Sequence, residues 1–376
     1  MKVSLITTAL SETTGIPNSV GAVQPLLGPT FSPGTPSIAL AEPVTLTGIW
    51  STEARRLAIL DSIDRLLGNI WDQESTSKLA AYYDLEPNVI GAFFFNVSPT
   101  LAAYAPEPRD NICQSINLLF TLLRGGTTQL QIWLEFSNCY DWQQSLHRKV
   151  QTFSERLDLV TTGLSFYRAL ELPVLPTRLA YTPWDDAGDP RSGMKPARKI
   201  SFSDGDYCLE LWPGITETRS GLEFRIALSD GTKLFSVGCL TGSSDLIIVN
   251  IQGTNTIDKR DAARHYERLK GKFHGQHPFD WLLNNIEVWA REQNYSHLHG
   301  YGHRLSAWIE QHFQKGDFPE SRRASFERIY ERRFEDRGMM AVNGKTHVYA
   351  KPLDPRNPSE NIPGDHLLIS KLMQCP

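Results

Sequence analysis

Between Leu222 and Gly300 the succession of apolar runs and turns leaves few folds open. Two runs of β-forming composition, Leu222–Leu228 and Lys233–Leu240, flank Ser229-Asp230-Gly231-Thr232, whose residues suit a hairpin turn. Leu246-Ile247-Ile248-Val249-Asn250-Ile251 follows, an almost continuous apolar run of the kind that forms a strand buried on both faces, ending at Gln252-Gly253-Thr254. After it come about 35 residues of helical pattern, with one helix opening near Asp258 and another over Leu282–Ala290, then a short strand near Ser296–Gly300. A hairpin feeding a central strand, a helical crossover and a further strand predicts an α/β (α+β) core, a mixed sheet with flanking helices. A cleft is expected at the carboxyl ends of its strands.

The chain before this core reads differently. Residues 1–48 are rich in Pro, Gly, Ser and Thr and nearly uncharged, which predicts a flexible arm. Helical spacing begins after Ser51, with Leu57, Leu60, Ile63, Leu67 and Ile70 on one stripe. It recurs over Ser77–Tyr83, over Asn111–Arg124 before Gly125-Gly126, and over Leu146–Leu170. Gln129–Phe136 suits a strand or a buried helix equally. Pro183–Pro196 has the composition of a linker. These boundaries predict an arm over 1–48, a mainly helical domain over 49–184 and an α/β domain over 185–376.

A formal charge of −4 on 376 residues gives no whole-chain reason to expect nucleic acid. No run reaches the ~18 apolar residues of a membrane span. The five cysteines form no CxxC pair, so neither a disulfide framework nor a cysteine zinc site is expected. The apolar start Met1–Leu10 is short and interrupted by Ser11-Glu12-Thr13, a poor secretory signal, and a cytoplasmic location is the expectation.

Nine of the ten histidines lie beyond residue 264. His297-Leu298-His299 on a strand places two imidazoles on one face, with His303 within reach, and His274 and His277 form another pair. Imidazole suits zinc, but no H-E-x-x-H motif is present and no cysteine lies in the block. A histidine-based metal-dependent enzyme is therefore the less favoured reading, with no metal ligand assigned. Histidine also serves as an acid or base near neutrality, and His274 and His303 are the candidate catalytic groups. Arg322, Arg323, Arg328, Arg332, Arg333 and Arg337 alternate with acidic residues over Ser321–Arg337, the pattern of a solvated, ion-paired helix in which Arg323 pairs with Glu327 and Arg332 with Asp336, and Phe326, Ile329, Tyr330 and Phe334 supply its buried stripe.

The order hairpin, strand, helix, strand resembles that of the GNAT N-acetyltransferases, a family whose cofactor pyrophosphate sits at the start of the helix after the central strand. That resemblance implies acyl-coenzyme A as cofactor and assigns Gln252, Gly253 and Thr254 to its turn. One glycine, Gly253, stands where the family's loop has two. Shorter pieces in order resemble the bacterial VirK/YbjX family, which carries a domain of unknown function: Arg219–Phe224, Leu234-Phe235-Ser236, Ile251-Gln252-Gly253, Leu269–Gly275 with Pro278, His299–His303, and Tyr330–Pro352 with Phe334, Gly338 and Val348–Pro352. That likeness implies an envelope- or virulence-associated role in Gram-negative bacteria and no particular catalytic residue. The expected partner is a small-molecule or protein substrate. The alternative to an acyltransferase is a non-enzymatic accessory protein that holds a partner.

Overall fold

The computed structural model describes residues 53–131, 146–172, 195–214, 221–254, 257–354 and 368–374, all within the compact unit Ile38–Pro376. The predicted arm, the linker over Pro183–Pro196 except its last two residues, and residues 132–136 lie outside the described residues.

Helices come first, among the described residues α1 (Glu53–Gly68), α2 (Gln73–Tyr83), α3 (Pro87–Val97), α4 (Arg109–Leu122) and α5 (Phe153–Ala169). Their starts follow local chemistry. Asp72 caps α2 by accepting the Ser75 N–H, and Pro87 opens α3, where its missing N–H costs nothing. The long helix expected over Leu146–Leu170 is broken. Leu146–Lys149 forms a 3-10 turn, and Thr152 with Glu155 then makes a reciprocal capping box that starts α5. Residues 127–131 are helical, which decides the first part of the ambiguous Gln129–Phe136 run.

Eight strands follow: β1 (Arg198–Ser201), β2 (Tyr207–Pro213), β3 (Leu222–Leu228), β4 (Lys233–Thr241), β5 (Asp245–Gly253), β6 (His297–Tyr301), β7 (Met340–Ala341) and β8 (Val348–Pro352). They form one mixed sheet in the order β1-β2-β3-β4-β5-β6-β8-β7. Among the described residues only β5 and β6 pair in parallel. Their connection carries α6 (Lys259–Lys272) and α7 (Pro278–Glu292), the crossover that a parallel pair requires. After β6 come α8 (Ala307–Gln314), α9 (Arg323–Ile329) and α10 (Glu331–Glu335), and α11 (Leu368–Gln374) lies near the C-terminus. The expected α/β class, a helical region followed by a mixed sheet with flanking helices, is the architecture observed. Among the described residues no helix is long and apolar enough to cross a membrane.

One apolar core runs from α1 to α11 and includes both the helical region and the sheet. Trp289 of α7 sits at its centre, its ring against Phe166 of α5 at 6.2 Å and Phe224 of β3 at 5.6 Å. The Tyr167 hydroxyl donates to the Gly221 carbonyl, fixing α5 to the entrance of β3. A second, smaller core gathers Val150 and Leu159 against Leu240, Ile247, Val249 and Tyr301. There the His147 ring meets Tyr301 edge-on at 4.9 Å, and Gln151 donates to the Tyr301 hydroxyl at 2.8 Å.

This packing makes the fold sensitive to one ring and to pH. Truncating Trp289 to Ala removes a fully buried ring shared by helix and sheet, and should cost about 3–5 kcal/mol in urea unfolding. Burial, with Arg156 nearby, pushes the His147 pKa down to about 3, and burial with Arg333 pushes His277 down to about 4. Both are neutral when folded but bind protons when unfolded below the ordinary histidine value of about 6.5. Stability is therefore full above that value and falls as pH drops from there toward 4. Thermal midpoints measured across that range should fall, and His147→Phe should flatten the slope.

Candidate functional site

The parallel pairing of β5 and β6 is short. It runs from Asp245 opposite His297 to Ile248 opposite Gly300 and then stops. On its other side β5 pairs with β4, and the register shifts between Gly238 and Cys239, opposite Asn250 and Ile248, leaving Val249 outside the ladder. Such a bulge bends the strand and re-aims its edge. Beyond Ile248 the edge of β5 is met not by a strand but by a side chain. The buried Tyr330, between α9 and α10, accepts the Ile251 N–H at 3.1 Å and donates to Asn250 Oδ1 at 3.2 Å. Phe334 of α10 packs on Gly300, where an added β-carbon would lie 2.7 Å from its ring. The cleft expected at these strand ends is thus occupied by Tyr330 and Phe334.

His303 begins the 3-10 turn that follows β6. It is 3% exposed, and its Nδ1 lies 2.7 Å from Oε1 of Glu331, itself 4% exposed. The same carboxylate oxygen accepts the His303 backbone N–H at 3.1 Å. A glycine precedes for a steric reason: a β-carbon on Gly302 would stand 2.5 Å from that oxygen. Phe326 stacks on the imidazole at 6.2 Å, and the His347 ring lies 6.5 Å away. Burial lowers the His347 pKa against the opposing pull of Glu331. Among the described residues, His303 Nε2 and Glu331 Oε2 are buried with no hydrogen-bond partner. A carboxylate that holds one ring nitrogen orients the other for proton transfer, which gives this pair the geometry of an acid–base centre.

The other sequence-assigned residues are spread along neighbouring turns. Gln252 and Gly253 are the last residues of β5, opposite Ser236 and Phe235 of β4, and Lys233 Nζ donates to Gln252 Oε1 at 3.4 Å. Thr254 follows directly, while Asn255 and Thr256 lie outside the described residues. Asp258 caps α6 by accepting the Arg260 N–H at 2.7 Å, engaging one of the amides an anion would use. His274 is exposed in a left-handed turn, φ +53°, between α6 and α7, on a different element from His303. His277 caps α7, its Nδ1 accepting the Phe279 N–H.

A second histidine group stands at the opposite end of the parallel pair. His297 and His299 share one face of β6, as predicted, but their companion is Asp245 of β5 rather than His303. Asp245 Oδ1 lies 3.1 Å from His297 Nδ1 and 3.5 Å from His299 Nε2.

The arginine-rich stretch differs from expectation. It folds as two short helices, and its cations reach across the fold. Arg323 pairs with Glu310 at 2.7 Å and with Glu320, whereas Arg333 and Arg337 converge on Asp280 at 2.5 and 3.0 Å. Arg332 meets Glu335 at 3.8 Å. The two pairs expected at i, i+4 are replaced by these, although each lies within one helical segment: Arg323 turns instead to Glu310 and Glu320, and Arg332 to Glu335. Burial raises the thiol pKa of Cys113 to about 11 and, with Glu210 beside it, of Cys208 to about 12; Cys239 is raised further. None of these three is a thiolate nucleophile at neutral pH.

No family model and no curated protein matches the chain. Glu331 and Asp245 were not singled out from sequence. Glu331 sits in a charged stretch that read as solvated, and Asp245 acquires its role only through strand register; Tyr330, expected on the buried stripe of that stretch, is buried, but its contact with the β5 edge was not foreseen. Glu331→Ala would strand two buried donors of His303 and should lower stability by about 1–3 kcal/mol in urea unfolding. Gly302→Ala, which pushes the same carboxylate away, should destabilise in the same direction.

Proposed function

We propose that this chain is a VirK-like α/β protein with an acyltransferase-like site, in which His303, held by Glu331, is the acid–base group. The observation that supports it most is the 2.7 Å His303–Glu331 contact at the end of β6, with the opposite ring nitrogen buried and unpartnered. Supporting it further is the strand arrangement: an antiparallel run, one parallel pair, and a helix beginning after the central strand, the order on which acyl-coenzyme A would be held near Gln252, Gly253 and Thr254. His303 would accept a proton from the attacking nucleophile, and Glu331 would stabilise the imidazolium that results. Tyr330 and Phe334 would have to yield part of the strand gap to admit an acyl chain.

That filled gap favours a second reading, a non-enzymatic accessory protein in which the His303–Glu331 pair is structural. Thermal-shift measurements with acetyl-coenzyme A, coenzyme A and nucleotides separate the two. The first reading predicts that coenzyme A compounds alone raise the midpoint of the wild type, and that His303→Gln abolishes turnover while still binding them. No shift with any coenzyme A compound would leave the accessory reading.

A further inference from the structure

The amino end of the β5–β6 pair carries side chains that the His303 site does not use. We propose that Asp245, His297 and His299 form a binding site for a divalent transition metal of the zinc, cobalt or nickel type. Backbone pairing fixes the arrangement. Asp245 and His297 are direct partners in the parallel register, and His299, two residues further along β6, projects from the same face. The three donor atoms all lie within 4.8 Å of one another. An ion about 2.0–2.1 Å from each donor sets tetrahedral ligands about 3.3 Å apart. The separations of 3.1 and 3.5 Å from Asp245 Oδ1 to the two imidazoles bracket that value.

The donor types decide the class of ion. Two imidazoles and one carboxylate suit zinc and its neighbours; magnesium and calcium prefer oxygen alone. The surroundings agree. The Ser244 hydroxyl donates to the second oxygen of Asp245 at 3.1 Å, orienting the carboxylate as outer-shell groups of metal sites do. With a side chain 51% exposed, His297 leaves the outer side of the site open to water as a fourth ligand. These ligands come from rigid strands, so the site is preformed.

The test uses the untagged full-length chain, stripped with a chelator and titrated with Co2+ and then Zn2+. The site predicts one equivalent of Co2+ per chain, with the visible absorption of a four-coordinate ion that Zn2+ displaces, and a Zn2+-dependent rise in thermal midpoint. His297→Ala and His299→Ala should each weaken binding at least about tenfold. His312→Ala removes a half-buried histidine away from the strands, paired with Asp317 at 2.8 Å, and should bind metal as the wild type does. Because His297 is half exposed, its loss leaves the fold intact and the result readable. Absence of both the absorption and the thermal response in the wild type would overturn the proposal, as would titrations unchanged in both strand variants. The outcome is independent of whether His303 has an acid–base role.

Discussion

The arrangement at the carboxyl end of the parallel pair depends on how the edge of β5 is satisfied once β6 leaves it. A buried backbone N–H without a partner costs as much as a lost hydrogen bond, and more in a dry interior. The bulge at Val249 and the end of pairing at Ile248 create that situation, and the Tyr330 hydroxyl answers it by taking the Ile251 N–H and reaching Asn250. Anchoring Tyr330 fixes the junction of α9 and α10. Glu331 is the next residue, so the contact that closes the strand edge also places a carboxylate against His303. Strand geometry, a phenol and an imidazole are therefore linked through one position of the chain.

The parallel pair also separates two kinds of histidine chemistry. At its carboxyl end the imidazole of His303 is buried, stacked on Phe326 and bound to a buried carboxylate. At its amino end His297 and His299 face solvent beside Asp245, a setting where an ion can arrive and water can complete its shell. His303 lies only one helical turn's worth of chain beyond His299, yet β6 carries them into opposite environments.

Much of the core was legible because its chemistry is local. The hairpin β3–β4 begins and ends almost where the turn residues Ser229–Thr232 placed it, and β5 grows from the Leu246–Ile251 run by one or two residues at either end. Asp258 stands at the N-cap of α6 where the helix was expected to open. What was hidden depends on long-range pairing. β2 went unrecognised because Glu210 interrupts the apolar run Tyr207–Trp212 and Pro213 ends it, and β1 because four residues carry no period. Asp245 gains meaning only when the register sets it opposite His297. In the arginine-rich stretch Tyr330 and Phe334 are buried as its apolar stripe led one to expect, but Asp280 draws Arg333 and Arg337 inward from what reads as the solvated face. Periodicity reports which face of a helix is apolar, not which distant carboxylate will neutralise the other face.

The most direct test of this account is native-state hydrogen exchange at the Ile251 amide. If Tyr330 closes the β5 edge, that amide exchanges as slowly as its neighbours in the paired part of the strand, and Tyr330→Phe accelerates it selectively while Ile248 stays protected. Rapid exchange at Ile251 in the wild type, or a rate indifferent to loss of the hydroxyl, would contradict it and show the gap between β5 and β6 to be open.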